Sequence, residues 1–282
     1  MNLDDVIEQY LQTNKDIKII GDLIGVGGMK KVYMGSIISQ NIDCVVKVVE
    51  INSANSEKRT RRELEILRSL DSPFFPKIYD VCDQVNNTGN KFIIITEQFI
   101  DGSNLRECMD GRKFEEQDAI RISKQLILAL QIVHQKGLVH RDVKPENVML
   151  TKNMNVVLLD FGIARDLLAE SITSDLSPYG PMTVGYAAPE QIYNKKRLIS
   201  ARTDFFSWAV VFSELLNGYN FLTKEASTSS DVITNTLKID INSVQINASN
   251  QNIVQIIRKN LSSEIHRRSN DEKEILSVLE GF

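Results

Sequence analysis

The sequence predicts an α+β chain in two parts: a strand-rich first third, then a larger and mostly helical remainder. Three observations carry this. β-Branched runs separated by Gly, Ser and Asn fill the region before residue 100, apolar residues recur at helical steps from Phe114 to Lys136, and Asp204 to Asn217 is apolar on nearly every side.

Taken in order, Asp4 to Leu11 carries Val6, Ile7, Tyr10 and Leu11 on one helical face, which predicts a short helix packed on the strands that follow. Ile17 to Ile24, Val32 to Ile38 and Cys44 to Val49 read as antiparallel strands in a meander. Glu57 to Leu70 is an amphipathic helix with Leu64, Leu67 and Leu70 on its apolar side, stopped by Asp71-Ser72-Pro73. Ile78 to Gln84 and Phe92 to Thr96 are two more strands, divided by the turn-forming Asn86-Asn87-Thr88-Gly89, and Asp101-Gly102 marks a boundary. The helix from Phe114 to Lys136 ends at Gly137. In the buried helix Asp204 to Asn217, Asp204 is the expected N-cap and Gly218 the stop. Residues 220 to 252, rich in Ser, Thr and Asn, predict a loop with one short helix, and Ile253 to Lys259 and Glu272 to Glu280 are the last helices.

Composition bounds the function. With 282 residues, 42% hydrophobic and 25% charged, the chain can bury a sizeable core. Its 33 basic and 37 acidic side chains give a net charge of −4, which argues against nucleic acid and anionic membrane surfaces as partners. Three widely spaced cysteines, Cys44, Cys82 and Cys108, fit neither a disulfide framework nor a CxxC zinc site. With three histidines in the chain, any metal is expected to be bound by oxygen. The opening MNLDDVIEQY is unlike a signal peptide and no apolar run reaches membrane-spanning length, so a cytoplasmic protein without membrane insertion is expected. Oligomeric state is left open.

The chemistry is concentrated in a few segments. Gly25-Val26-Gly27-Gly28-Met29 lies between two strands, where backbone without Cβ atoms can approach a phosphate. By itself such a loop is as readily a tight turn. Lys47, in an otherwise apolar strand, must reach solvent or find an anion, and Glu63 on the next helix is a candidate partner. A solvated glutamate on a charged helix face is the plainer account of Glu63 alone. His140-Arg141-Asp142-Val143-Lys144-Pro145-Glu146-Asn147 follows, then Asp160-Phe161-Gly162 and Ala188-Pro189-Glu190.

Together, and in this order, these residues resemble the signature set of the protein kinase family, over about Ile17 to Arg268. The glycine loop and the Tyr186-Ala-Ala-Pro-Glu190-Gln191 run are similar to those of compact bacterial members of the eukaryotic-like (Hanks-type) serine/threonine kinases. The resemblance implies a bilobal fold: a small antiparallel-β lobe with one helix (1–96), a hinge (97–101) and a larger helical lobe (102–282), with ATP in the cleft between them. It implies transfer of the γ-phosphoryl group of Mg-ATP, with Mn²⁺ as an alternative metal, to Ser or Thr hydroxyls of protein substrates. By the same resemblance Lys47 grips the α- and β-phosphates, steadied by Glu63. Asn147 and Asp160 hold the metal, Asp142 accepts the hydroxyl proton and Lys144 contacts the γ-phosphate. The nucleotide is expected against Ile24, Gly25, Val26, Gly27, Gly28, Val32, Val45, Thr96, Glu97, Phe99 and Met149, with Thr96 as the residue before the hinge that bounds the base pocket. Thr183 is placed to bond Asp142 and Lys144, Asp204 to brace the catalytic loop and Arg267 to pair with Glu190.

Two features modulate this expectation. Lys30 stands where the family loop has its third glycine, which motivates a rival reading as a nucleotide-binding scaffold without turnover. A small-molecule kinase is a second rival, disfavoured by the Ala-Pro-Glu segment. Arg141 before Asp142 predicts control by phosphorylation of the activation segment, and Ser171, Thr173, Ser174 and Ser177 are its candidate autophosphorylation sites.

Overall fold

The computed structural model describes residues 3–27, 30–160 and 183–281. Gly28, Met29, Phe161 and the four candidate phosphorylation sites lie outside the described residues. The chain forms two compact units, Met1–Asp101 and Gly102–Phe282.

The first unit opens with α1 (Leu3–Thr13), then β1 (Ile17–Gly27), β2 (Lys30–Ile37), β3 (Ile42–Ile51), α2 (Ala54–Ser69), β4 (Ile78–Val85) and β5 (Lys91–Gln98). The strands make one antiparallel sheet in the order β1-β2-β3-β5-β4. Alternation along β3 puts Cys44, Val46 and Val48, all fully buried, on one face. That face packs with Ile37, Phe92 and Ile94 against Val6, Ile7 and Tyr10 of α1. The amphipathic N-terminal helix thus covers its own sheet, as its apolar spacing predicts. On α2, Leu64 joins Ile93 and Ile95. The helix starts at a capping box, in which the Ser53 hydroxyl accepts from the Ser56 amide and the Ser56 hydroxyl from the Ser53 amide, each at 3.1 Å.

The second unit begins with β6 (Gly102–Asn104), α3 (Leu105–Met109) and α4 (Glu116–Gln135), followed by β7 (Val148–Thr151) and β8 (Val156–Leu158). Gly102 is required by close approach, because a Cβ there would lie 2.2 Å from the Leu150 carbonyl oxygen on β7. Next come α5 (Pro189–Ile192), α6 (Ala201–Asn217), α7 (Ser229–Leu237), α8 (Gln251–Asn260) and α9 (Glu272–Leu279). On α4 the fully buried stripe is Ala119, Ile122, Leu126, Ala129, Leu130 and Val133, the residues whose 3- and 4-step spacing predicted it. Every residue of α6 from Thr203 to Asn217 is buried, and Trp208 is satisfied by its Nε1–H donating to the Ser123 carbonyl at 3.0 Å. The helix stops at Gly218, whose φ of 80° lies in the left-handed region.

Two expectations are corrected. The N-cap of α6 is Ser200 and not Asp204, which sits inside the first turn with its carboxylate turned to other work. Glu190 pairs with Arg268 and not with Arg267. The Arg268 guanidinium meets both carboxylate oxygens, at 2.7 and 3.0 Å, and also donates to the Ser262 and Arg202 carbonyls. Arg267 is exposed and reaches Glu264. A charge that is fully buried has to satisfy its donors within the protein, and the backbone offers those carbonyls only to the second arginine.

Candidate active site

The segment joining α4 to β7 carries Asp142, Lys144 and Asn147, all buried. Their geometry is set by groups that converge on one carboxylate. Thr183 donates its hydroxyl to Asp142 Oδ1 at 2.5 Å and accepts from the Lys144 ammonium at 3.1 Å. Lys144 Nζ is 3.0 Å from Asp142 Oδ2, and the Asn147 amide donates to the same oxygen at 2.8 Å and to the Asp142 carbonyl at 2.9 Å. Because the Asn147 nitrogen is directed at Asp142, its side-chain carbonyl oxygen faces away and is the atom suited to a cation.

Asp204 organises this loop from below. Its fully buried carboxylate accepts from the backbone amides of His140 (Oδ2, 2.8 Å) and Arg141 (Oδ1, 2.8 Å). Arg141 has φ of 68°, a strained value for a side-chain-bearing residue, costing about 1–3 kcal/mol. Its amide bond to Asp204 and the bond from Gln191 Nε2 to its carbonyl, 2.8 Å, hold that conformation in place. His140 is neutral. Burial drives its pKa down, its Nε2–H donates to the Leu159 carbonyl at 3.1 Å, and its Nδ1 accepts from the Asp142 amide at 3.3 Å. It packs and orients, and is no proton carrier.

His134 is the site residue that sequence reasoning missed. It lies near the end of α4, where its ring bridges Asp204 Oδ2 at 2.8 Å and Glu272 Oε1 at 2.5 Å. Burial alone would lower its pKa, but hydrogen bonds and charge from the two carboxylates outweigh this and raise it to about 9. Asp204 is held low in turn: burial would raise its carboxyl, and the His134 hydrogen bond and charge override that. No local signal points to this triad, since its members come from three helices. The histidine is protonated in the folded state at neutral pH, and its folded pKa exceeds the unfolded value of about 6.5. Its stabilisation is therefore complete below about pH 6.5 and disappears as pH rises toward 9. Urea unfolding of wild type and His134→Gln at pH 6 and pH 9.5 is expected to show a difference on the order of 3 kcal/mol at the lower pH, mostly gone at the higher.

In the first unit, cross-strand register decides which side chains share a face. Val32 on β2 lies opposite Lys47 on β3, and Lys47 lies opposite Ile95 on β5. Val45 lies opposite Glu97. Hence Val32, Val45, Lys47, Ile95 and Glu97 stand on one face. Gly25 on β1 pairs with Val32, and Ile24 beside it is exposed. Thr96 is corrected: opposite Val46, it faces the other side and meets the Tyr10 hydroxyl of α1 at 3.1 Å. Glu97, expected at the hinge, belongs to β5, and its carboxylate lies 2.5 Å from the Lys47 ammonium, with both side chains largely buried. Sequence reasoning had named Glu63 as the partner of Lys47, and Glu97 is a contact of that ammonium it did not foresee. Glu63 lies half-buried on α2 beside Leu64. Period-2 counting along β5, had its pairing with β3 been known, would have found Glu97. Phe99 follows β5 and is half-buried, and Met149 is half-buried on β7. Asp160, just after β8, has φ of 41°.

Similarity to known proteins bears on these residues. The model of the protein kinase domain matches residues 19–278. A probable serine/threonine-protein kinase of Streptomyces coelicolor is 34% identical over 202 residues, which is 70% of this chain and 29% of that protein. The serine/threonine-protein kinase PknB of Mycobacterium leprae is 34% identical over 205 residues, 71% of this chain and 32% of that protein. The serine/threonine-protein kinase PrkC of Bacillus subtilis is 31% identical over 200 residues, 70% and 30% respectively. The matched stretch thus spans about a third of the length of these curated relatives.

Proposed function

The chain belongs to the protein kinase family, and we propose that it transfers the γ-phosphoryl group of ATP to serine and threonine hydroxyls of protein substrates. One observation carries the reading: the Asp142 carboxylate already accepts a hydrogen bond from an aliphatic hydroxyl, that of Thr183, with the Lys144 ammonium beside both. That is the set of groups a serine or threonine acceptor needs, a base for its proton and a cation for the phosphoryl oxygens.

The residues fit the nucleotide and its metal. Asn147 and Asp160 offer hard oxygen donors, which suit Mg²⁺ or Mn²⁺ bound through few protein ligands, and Lys47 offers a largely buried cation for phosphate. When bound, Mg-ATP supplies the transferable group with its charge partly screened. Asp142 orients the acceptor hydroxyl and takes its proton, and Lys144 offsets charge developing on the phosphoryl oxygens. Asp204 and His134 keep the loop in the conformation that presents Asp142. Val32 and Val45 lie on the Lys47 face and provide apolar contact for the base.

We assign autophosphorylation to the segment between residues 163 and 182, and location to the cytoplasm. The free thiols of Cys44, Cys82 and Cys108 support the latter, and among the described residues no helix is long and apolar enough to cross a membrane. The test is transfer of labelled γ-phosphate from Mg-ATP to serine, threonine and tyrosine peptides and to the protein itself. Label on serine or threonine is expected. A melting shift with Mg-ATP but no transfer to any acceptor would replace this reading with that of a nucleotide-binding scaffold.

A further inference from the structure

The carboxylate of Glu97 sits on the same sheet face as Val45 and Lys47, 2.5 Å from the ammonium assigned to the nucleotide phosphates. We propose that Glu97 is a specificity-determining residue that competes with phosphate for Lys47 and so sets how tightly the protein holds a phosphorylated nucleotide. This rests on the nucleotide-binding reading of Lys47 given above.

The argument is electrostatic. The two side chains are 13% and 6% exposed, so their attraction is weakly screened by solvent, and the carboxylate offsets a charge that would otherwise draw in a polyphosphate. A di- or triphosphate reaching Lys47 must either displace Glu97 or bring its own negative charge close to it. Either course weakens binding. Glu97 is largely withdrawn from water, with Ile95 two positions back on its own strand and Val45 opposite it across the ladder. The effect should scale with the charge of the phosphate chain and vanish for a nucleoside, which has nothing to offer Lys47. A bound divalent cation reduces the conflict by lowering the charge of the polyphosphate, so the competition should be strongest without metal.

The test is calorimetric binding of ADP and adenosine, without divalent metal, to wild type, Glu97→Gln and Lys47→Met. Glu97→Gln keeps the shape of the side chain and removes its charge. It is expected to tighten ADP about tenfold while leaving adenosine within about twofold. In the Lys47→Met background the same change should leave ADP affinity unaltered. Glu97→Asp, which keeps the charge but shortens its reach, should tighten ADP by a smaller factor, and it serves if the glutamine variant fails to fold. Unchanged or weaker ADP binding in a folded Glu97 variant, or an equal gain for adenosine, would overturn the proposal while leaving the kinase reading standing. If wild type binds neither ADP nor adenosine under these conditions nor Mg-ATP, the proposed function falls and takes this inference with it.

Discussion

Asp142→Asn is expected to lower phosphoryl transfer about a thousandfold while leaving thermal stability nearly unchanged. The loss follows from basicity, since an amide cannot take the acceptor proton. The retained stability follows from the neighbours. Asp142 receives donors from Thr183 on Oδ1 and from Asn147 and Lys144 on Oδ2. An asparagine can keep its single oxygen toward Asn147 and Lys144 and point its nitrogen at Thr183. A hydroxyl both donates and accepts, so Thr183 can reverse its bond without moving. Single-turnover transfer and nucleotide binding separate the effects: the rate should collapse while the dissociation constant for Mg-ATP stays within about twofold. Transfer near the wild-type rate would remove Asp142 as the base.

Asp204→Asn, the same chemical change 62 positions along the chain, is expected to behave differently. It should destabilise the protein by about 3 kcal/mol and abolish most transfer as well. The three groups around this carboxylate, the amides of His140 and Arg141 and the protonated ring of His134, are all donors. No backbone N–H can become an acceptor, so the new amide nitrogen must face a donor in a site without solvent. His134 also loses one of its two anionic partners, so its pKa falls and Glu272 is left to hold it. Freed from Asp204, Arg141 relaxes from its positive φ and carries Asp142 with it. Denaturant unfolding gives the stability loss, and hydrogen exchange at the His140 and Arg141 amides reports the loop. Slow exchange at both amides in the variant would contradict the bracing role of Asp204.

The contrast between these two aspartates marks how much was legible beforehand. Both were readable as residue types, because His140-Arg141-Asp142 and the helix beginning near Asp204 stand out in the chain. Neither set of partners was. Whether an asparagine is tolerated depends on whether the neighbouring donors can reverse, and those neighbours lie 41 positions away in Thr183 and 70 away in His134.

By itself the sequence determined the longer helices, the five strands of the first unit, their order and the family. Short β-branched and apolar runs mark β3 and β5, 3- and 4-step spacing marks α4, and Gly218 ends α6, because each of these signals comes from residues within a few positions of one another. The tertiary structure placed the cap of α6 at Ser200 and decided between two pairs of adjacent candidates: Glu97 over Thr96 on the Lys47 face and Arg268 over Arg267 for Glu190. The physical reason is common to both pairs. A shift of one residue reverses the face of a strand or exchanges a buried charge for an exposed one, and the energy that selects the register lies in contacts with residues distant in the chain.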